Sequence, residues 1–232
     1  MSEATVRRDL AALEGEGVLV RTFGGARLLE PASLVARTFG QKRQRLRQEK
    51  ERIAQEAARL VQPGMIVALD SGTTVWRVAA ALKDKAPLTL LTTALAAVEE
   101  LGPVPGMRIF CTGGQFRPEN LDFVGPTAVA AFAGLHADIA FVGADSLIVG
   151  RGLYSADQSS AAILSAIGAC AGRRVAVLDH TKINAQGMFL GLPSDRLDCV
   201  VTDSGLDEQT RQALQTGPYE LVVVEMQSVR SV

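Results

Sequence analysis

The sequence predicts an α/β protein, a mainly parallel sheet flanked by helices, with a smaller N-terminal segment of helix and ribbon in front of it. Three observations predict this. Seven short apolar runs alternate with stretches of helical spacing from Pro63–Gly64 onward. Most of those runs are continuously apolar, as expected of strands covered on both faces. The 232 residues, 47% apolar and 21% charged, suffice for one large α/β domain with an appendage.

Taken in order, residues 2–15 read as a helix. Ser2 is placed to cap it, Val6, Leu10 and Leu13 share one face, and Gly15 and Gly17 end it. Val18–Arg21 and Ala26–Leu28, either side of Gly24–Gly25, read as a two-stranded ribbon. Residues 30–48, rich in Arg and Gln, read as a linker entering a helix of residues 47–61. The expected domains are therefore 1–30, a linker 31–48, and an α/β domain 49–232. Its strands are Met65–Asp70, Leu88–Thr92, Met107–Thr112, Asp138–Gly143, Arg174–Asp179, Asp198–Asp203 and Tyr219–Glu225. Helical spacing falls near 74–83, 94–101, 125–135, 158–171 and 206–216.

Charge is unevenly distributed. Residues 1–52 hold 11 Lys+Arg against 7 Asp+Glu, and the remainder 13 against 18. A basic head on an acidic body puts any polyanion contact at the N-terminus, although a solvated helix face has the same composition. With 5% aromatic residues, base stacking is a poor reading of function. Cys111, Cys170 and Cys199 have neither disulfide nor metal-ligand spacing. They read as buried thiols of a cytoplasmic protein that has no signal peptide or membrane span and uses no metal or cofactor.

Ligands of open parallel sheets bind beyond the carboxyl ends of the strands. The first strand ends in Asp70–Ser71–Gly72–Thr73–Thr74 and runs into a helix. Backbone amides, hydroxyls and a helix N-terminus together suit a phosphate, or simply cap the helix. Other strands end in Thr112–Gly113–Gly114–Gln115, Gly143–Ala144–Asp145, Asp179–His180–Thr181–Lys182 and Thr202–Asp203. Each is turn chemistry taken alone. At one shared edge they suggest a common pocket, with Lys182 able to hold a phosphate as a point charge or to stand as an exposed turn lysine. In the N-terminal helix, Ser2, Thr5, Arg7 and Arg8 are of the types that reach bases and phosphates, and Arg21 and Arg27 of the ribbon could touch the DNA backbone. Glu3, Asp9 and Glu14 fit a helix packing on its own neighbours.

Together these motifs resemble the DeoR family of bacterial repressors. Ser2–Leu10, with Leu13–Glu14 and Gly17–Leu19, resembles the family's recognition helix, and Arg21–Ala26 its wing. Ala68–Thr74, Thr112–Gly114, Phe141–Gly143, Asp179–Lys182 and Val201–Asp203 resemble its sensor domain. The resemblance implies a partial winged helix-turn-helix before a fold like ribose-5-phosphate isomerase and coenzyme A transferases. It implies a phosphorylated sugar or related metabolite as effector, operator DNA as partner, and a homo-oligomer. Asp70, Ser71, Gly72, Thr73 and Thr74 would hold the phosphate with Lys182, and Gly113, Gly114 and Asp145 would border the rest. The DNA-binding set would be Ser2, Thr5, Arg7, Arg8 and Arg21.

There are three departures. The chain starts at the recognition helix, so operator binding is expected only if the preceding scaffold helices are restored. Thr92–Thr93 stands where the family commonly has Thr-Asn, which alters a contact at Thr92. Ser160–Ala161–Ala162–Ile163–Leu164 replaces a Glu-Ala-x-x-Lys pattern. Two alternatives remain. One is a sensor-only oligomerising protein without autonomous DNA binding. The other is a sugar-phosphate isomerase, against which stands the absence of Glu from Arg151–Ser160, where Asp157 is the only carboxylate.

Overall fold

The computed structural model describes residues 5–6, 10–11, 19–22, 25–28 and 39–226. The chain divides into two compact units, Met1–Arg47 and Gln48–Val232.

In the first unit, residues 5–6 and 10–11 are helical, and the rest of the helix read over 2–15 lies outside the described residues. The ribbon forms as an antiparallel pair, β1 (Leu19–Thr22) and β2 (Gly25–Leu28), with Leu19 opposite Leu28 and Thr22 opposite Gly25. The stretch read as linker holds a helix, α1 (Phe39–Gln44), in which Phe39 is buried. A six-residue helix with one apolar anchor is too short for its periodicity to register in a sequence.

The second unit opens with α2 (Arg47–Ala58) and then alternates strand and helix. β3 (Ile66–Leu69), α3 (Thr73–Ala81), β4 (Leu88–Thr92), α4 (Leu95–Leu101) and β5 (Met107–Cys111) come first. A hairpin of β6 (Gln115–Arg117) and β7 (Asp122–Val124) leads to α5 (Pro126–Ala130) and β8 (Ala137–Val142). β9 (Ser146–Ile148), β10 (Gly152–Ser155), α6 (Gln158–Cys170), β11 (Ala171–Val177), β12 (Phe189–Pro193), β13 (Cys199–Asp203), α7 (Glu208–Gln215) and β14 (Glu220–Val224) complete it. The seven apolar runs read from the sequence are the seven strands of one parallel sheet, ordered β14-β13-β11-β8-β3-β4-β5.

Side chains alternate across this sheet with period two, and both faces are buried in its inner strands, while the edge strands β5 and β14 are partly exposed. Val67, Leu69, Ile139, Phe141, Val175 and Val177 share one core with α2, α3 and α4. Ala68, Ala140, Val142, Ala176 and Val200 face the other, with α5, α6 and α7. The chain walks outward from β3 to β5, then returns to β8 on the opposite side of β3 and walks the other way. Right-handed crossovers in opposite directions put the two helix sets on opposite faces. The strand order therefore reverses between β3 and β8, where the ends of two strands part and leave a crevice.

Two features had no sequence signal. The β6–β7 hairpin and a three-stranded antiparallel sheet, β12-β10-β9, are built mostly from strands of three or four residues. Such short strands fall below the length at which alternation registers. Among the described residues, no helix is long and apolar enough to cross a membrane.

Candidate functional site

The loops leaving β3 and β8 meet at the reversal of strand order, and Asp70 joins them. Its side chain is buried, with Oδ1 accepting from the Ser71 amide at 2.7 Å and Oδ2 from the Gly143 amide at 3.2 Å. Burial raises its carboxyl to about 7, and Asp122 nearby adds to the rise, while the two amide bonds and Arg117 oppose it. Asp70 thus holds the loops and does not present a free carboxylate.

Gly72 follows with φ +113, a conformation that side-chain-bearing residues avoid, and is the N-cap of α3. No side chain caps this helix. Its first bond back runs from the Trp76 amide to the Gly72 carbonyl at 2.9 Å, so the first-turn amides of Thr73, Thr74 and Val75 have no intrahelical acceptor. They form a small positive end at the crevice, with Thr73 buried and Ser71 and Thr74 half-buried beside it.

Across the crevice, Asp145 accepts from the Ala156 amide through Oδ2 at 2.8 Å, and its Oδ1 lies 3.8 Å from Lys182 Nζ. The two side chains are 40% and 35% exposed, so this is a loose, solvent-screened pair that leaves the ammonium able to meet an anion. Lys182 stands in a 3-10 turn, His180–Lys182, after β11, capped by Asp179 through the Thr181 amide. Since β8 lies between β3 and β11, the Asp70–Thr74 loop and Lys182 flank the loop of Gly143 and Asp145 at one sheet edge.

Other expected contacts sit differently. Thr92 is 1% exposed, donates to the Leu69 carbonyl at 2.8 Å and receives the Ala94 amide at 3.0 Å. This corrects the expectation of a ligand contact there: the hydroxyl ties β4 to β3 and faces no open space. Gly113 and Gly114 leave β5, two strands from β3 and so roughly 10 Å to the side. A Cβ on Gly114 would fall 2.7 Å from the Val124 carbonyl oxygen and 3.0 Å from Ala128 Cβ, so this glycine lets the hairpin and α5 close on the strand end. Of the N-terminal set, Ser2, Arg7 and Arg8 lie outside the described residues. Thr5 is helical and exposed, and Arg21 stands in β1.

Two clusters were missed. Arg117, on the hairpin, forks onto Asp122 (Nε to Oδ1 2.9 Å, Nη2 to Oδ2 2.7 Å) and reaches Asp157 Oδ2 at 3.1 Å and Ser160 Oγ at 3.0 Å. Asp157 is the N-cap of α6. Burial favours its neutral form, but bonds from Ser160 and the charge of Arg117 outweigh this and hold it below the usual carboxylate range. The hairpin crosses the end of β4, with the Phe123 amide donating to the Thr93 carbonyl at 2.9 Å. In the second cluster, His180 Nδ1 lies 2.7 Å from Oδ1 of buried Asp203, whose Oδ2 accepts the His180 amide at 2.8 Å. Asp157 three positions before Ser160 at the start of a helical stretch is an N-cap pattern, the one local signal that could have pointed to this cluster. The partners 40 and 23 positions away were not.

A family model described as the DeoR C-terminal sensor domain matches residues 46–204, and one described as a DeoR-like helix-turn-helix domain matches residues 1–32. The chain belongs to the DeoR family. Among curated relatives, the uncharacterized HTH-type transcriptional regulator YgbI of Escherichia coli is 33% identical, over 97% of this chain and 88% of the relative. The transcriptional repressor AccR of Agrobacterium fabrum is 33% identical, over 95% and 84%. Among solved structures, ribose 5-phosphate isomerase A of Methanocaldococcus jannaschii aligns at 18% identity over 58% of this chain and 53% of that one, with a TM-score of 0.43. The eIF2B beta chain of Chaetomium thermophilum aligns at 17% identity over 66% and 50%, with a TM-score of 0.48.

Proposed function

We propose that this DeoR-family chain is a transcriptional repressor whose α/β unit senses a phosphorylated sugar or related phosphorylated metabolite. The observation that carries the reading is an uncapped helix N-terminus at the reversal of strand order, with a loosely paired lysine two strands away at the same sheet edge. The first-turn amides of α3 and the Lys182 ammonium would hold the phosphate. Ser71, Gly72, Thr73 and Thr74 would line that end, and Asp145 would accept from sugar hydroxyls. Gly113 and Gly114 would border the far side.

In this reading residues 1–30 contact operator DNA through Ser2, Thr5, Arg7, Arg8 and Arg21, residues 31–48 connect, and residues 49–232 sense and form a homo-oligomer. Effector binding shifts the population between two arrangements with different operator affinity. A catalytic role fits less well. Aldose–ketose isomerisation needs a free carboxylate base, whereas Asp157 is paired to Arg117, Asp70 accepts two amides, and Asp145 accepts one amide beside Lys182.

A thermal-shift screen of phosphorylated sugars followed by calorimetry tests the reading. A specific binder should raise the melting temperature with the logarithm of its concentration. Lys182→Met and Thr73→Ala should each weaken it by ~1–3 kcal/mol, or roughly 5- to 150-fold. Unchanged affinity in both variants would overturn the site assignment.

A further inference from the structure

We propose that the Asp70 carboxylate is a proton-operated tether between the β3 and β8 loops, and that anion binding at the crevice draws the proton that loosens it. The tether stands on its two amide bonds and on the burial of the carboxyl, and the coupling rests on the anion-site reading above.

The geometry is specific. Ser71 belongs to the loop after β3 and Gly143 to the loop after β8, and one buried carboxylate accepts an amide from each. An ionised carboxylate can accept at both oxygens. A protonated one carries an O–H on one oxygen, which leaves that oxygen a poorer acceptor, so one of the two bonds weakens. The bond to Gly143, at 3.2 Å against 2.7 Å to Ser71, is the weaker and yields first. Protonation therefore loosens the link between the two sides of the crevice.

The charges around Asp70 allow the proton to come and go. Asp122, from β7, repels its negative form, and Arg117, from β6, opposes that weakly because its guanidinium is engaged by Asp122 and Asp157. From β4, the facing group is the uncharged Thr92, which bonds the Leu69 carbonyl next to Asp70. From the β8 and β11 loops, Asp145 and Lys182 are paired with each other. Among the described residues, no lysine or arginine forms an ion pair with Asp70. Burial then raises its carboxyl to about 7, so it exchanges its proton near neutrality.

An anion seated on the first turn of α3 adds a second negative charge beside this one. The ionised form of Asp70 is disfavoured, so binding takes up a proton and tightens as pH falls. Asp70→Asn imitates the protonated state, because its Oδ1 accepts one amide while its Nδ2 confronts the other.

The test has a ligand-free arm and a ligand arm, both on the full chain. Amide chemical shifts of Ser71 and Gly143 are followed from about pH 5.5 to 8.5 in wild type and D70N. Sulfate, which does not itself titrate near neutrality, is then titrated calorimetrically in two buffers of different ionisation heat. In wild type both amides should move with one shared midpoint near neutrality, and D70N should be flat. Sulfate should bind wild type with proton uptake, its affinity rising as pH falls toward the midpoint by up to about ten-fold per pH unit, and D70N without uptake. If D70N does not fold, the Asp70 carboxyl carbon resonance of wild type reads the same titration. Amides that do not move, or that move equally in D70N, overturn the tether. Moving amides with sulfate bound but no proton taken up overturn the coupling. Moving amides with no sulfate binding at any pH remove the anion site and the coupling with it, and leave the tether standing.

Discussion

Replacing Arg117 by methionine keeps most of the aliphatic stem and removes the guanidinium that ties the hairpin to α6. The structure sets the size of the effect. Asp122 is 1% exposed and both its oxygens are forked by Arg117, so the variant strands a buried carboxylate. Leaving one member of a buried pair unpaired costs about 3–5 kcal/mol. The Asp157 arm adds little, because that carboxylate is 48% exposed and screened by water. Against a total stability of ~5–15 kcal/mol the loss is large, and it lowers the melting temperature by roughly 6–20 °C for a unit of this size. Urea unfolding read by the single tryptophan, Trp76, buried in α3 of the same unit, measures it. A second variant separates charge from shape. If the cost is the stranded charge, Asp122→Asn in the Arg117→Met background should recover a good part of it, giving a favourable coupling in the double-mutant cycle. A loss under about 1 kcal/mol for R117M, or a double variant as unstable as the two single losses added, would refute the reasoning.

Three further outcomes are expected. Asp157 is held below its ordinary value of 3.8 in the folded chain, so its contribution is present above that pH and lost as pH falls through the folded value. Wild type and Asp157→Asn should therefore differ at neutral pH and converge in acid, as measured by urea midpoints across pH. Burial pushes Cys199 up to about 11 and raises Cys170, whereas Cys111 is exposed. A thiol reagent at neutral pH should label Cys111 quickly and the other two only on unfolding, as peptide mass mapping would show. Gly114→Ala forces a methyl against the Val124 carbonyl oxygen and Ala128 at φ +115, and should cost about 1–3 kcal/mol in the same unfolding assay.

Much of the fold was legible because its signals are local. Ile66–Leu69 is apolar on both faces and Leu88–Thr92 nearly so, and that pattern does not depend on which strand lies next door. The candidate site rests on the same kind of local signal: Asp70–Thr74 is a strand end running into a helix, and Lys182 follows another strand end. Thr92 misled, because a threonine at a strand end looks the same whether its hydroxyl faces a ligand or the neighbouring Leu69 carbonyl. The hairpin of Gln115–Arg117 and Asp122–Val124 was silent because three residues carry no periodicity.

The sequence by itself determined the family, the seven parallel strands and the residue types available at their ends, since each follows from neighbours in the chain. Only the tertiary structure decided that β8 lies beside β3, and with it that Gly143 meets Asp70 and that Lys182 stands near Asp145. It also decided that Arg117 would be engaged by carboxylates from two other elements. The physical reason is that strand order is settled by covering both faces of the whole sheet at once, a global packing condition to which no single segment holds the answer.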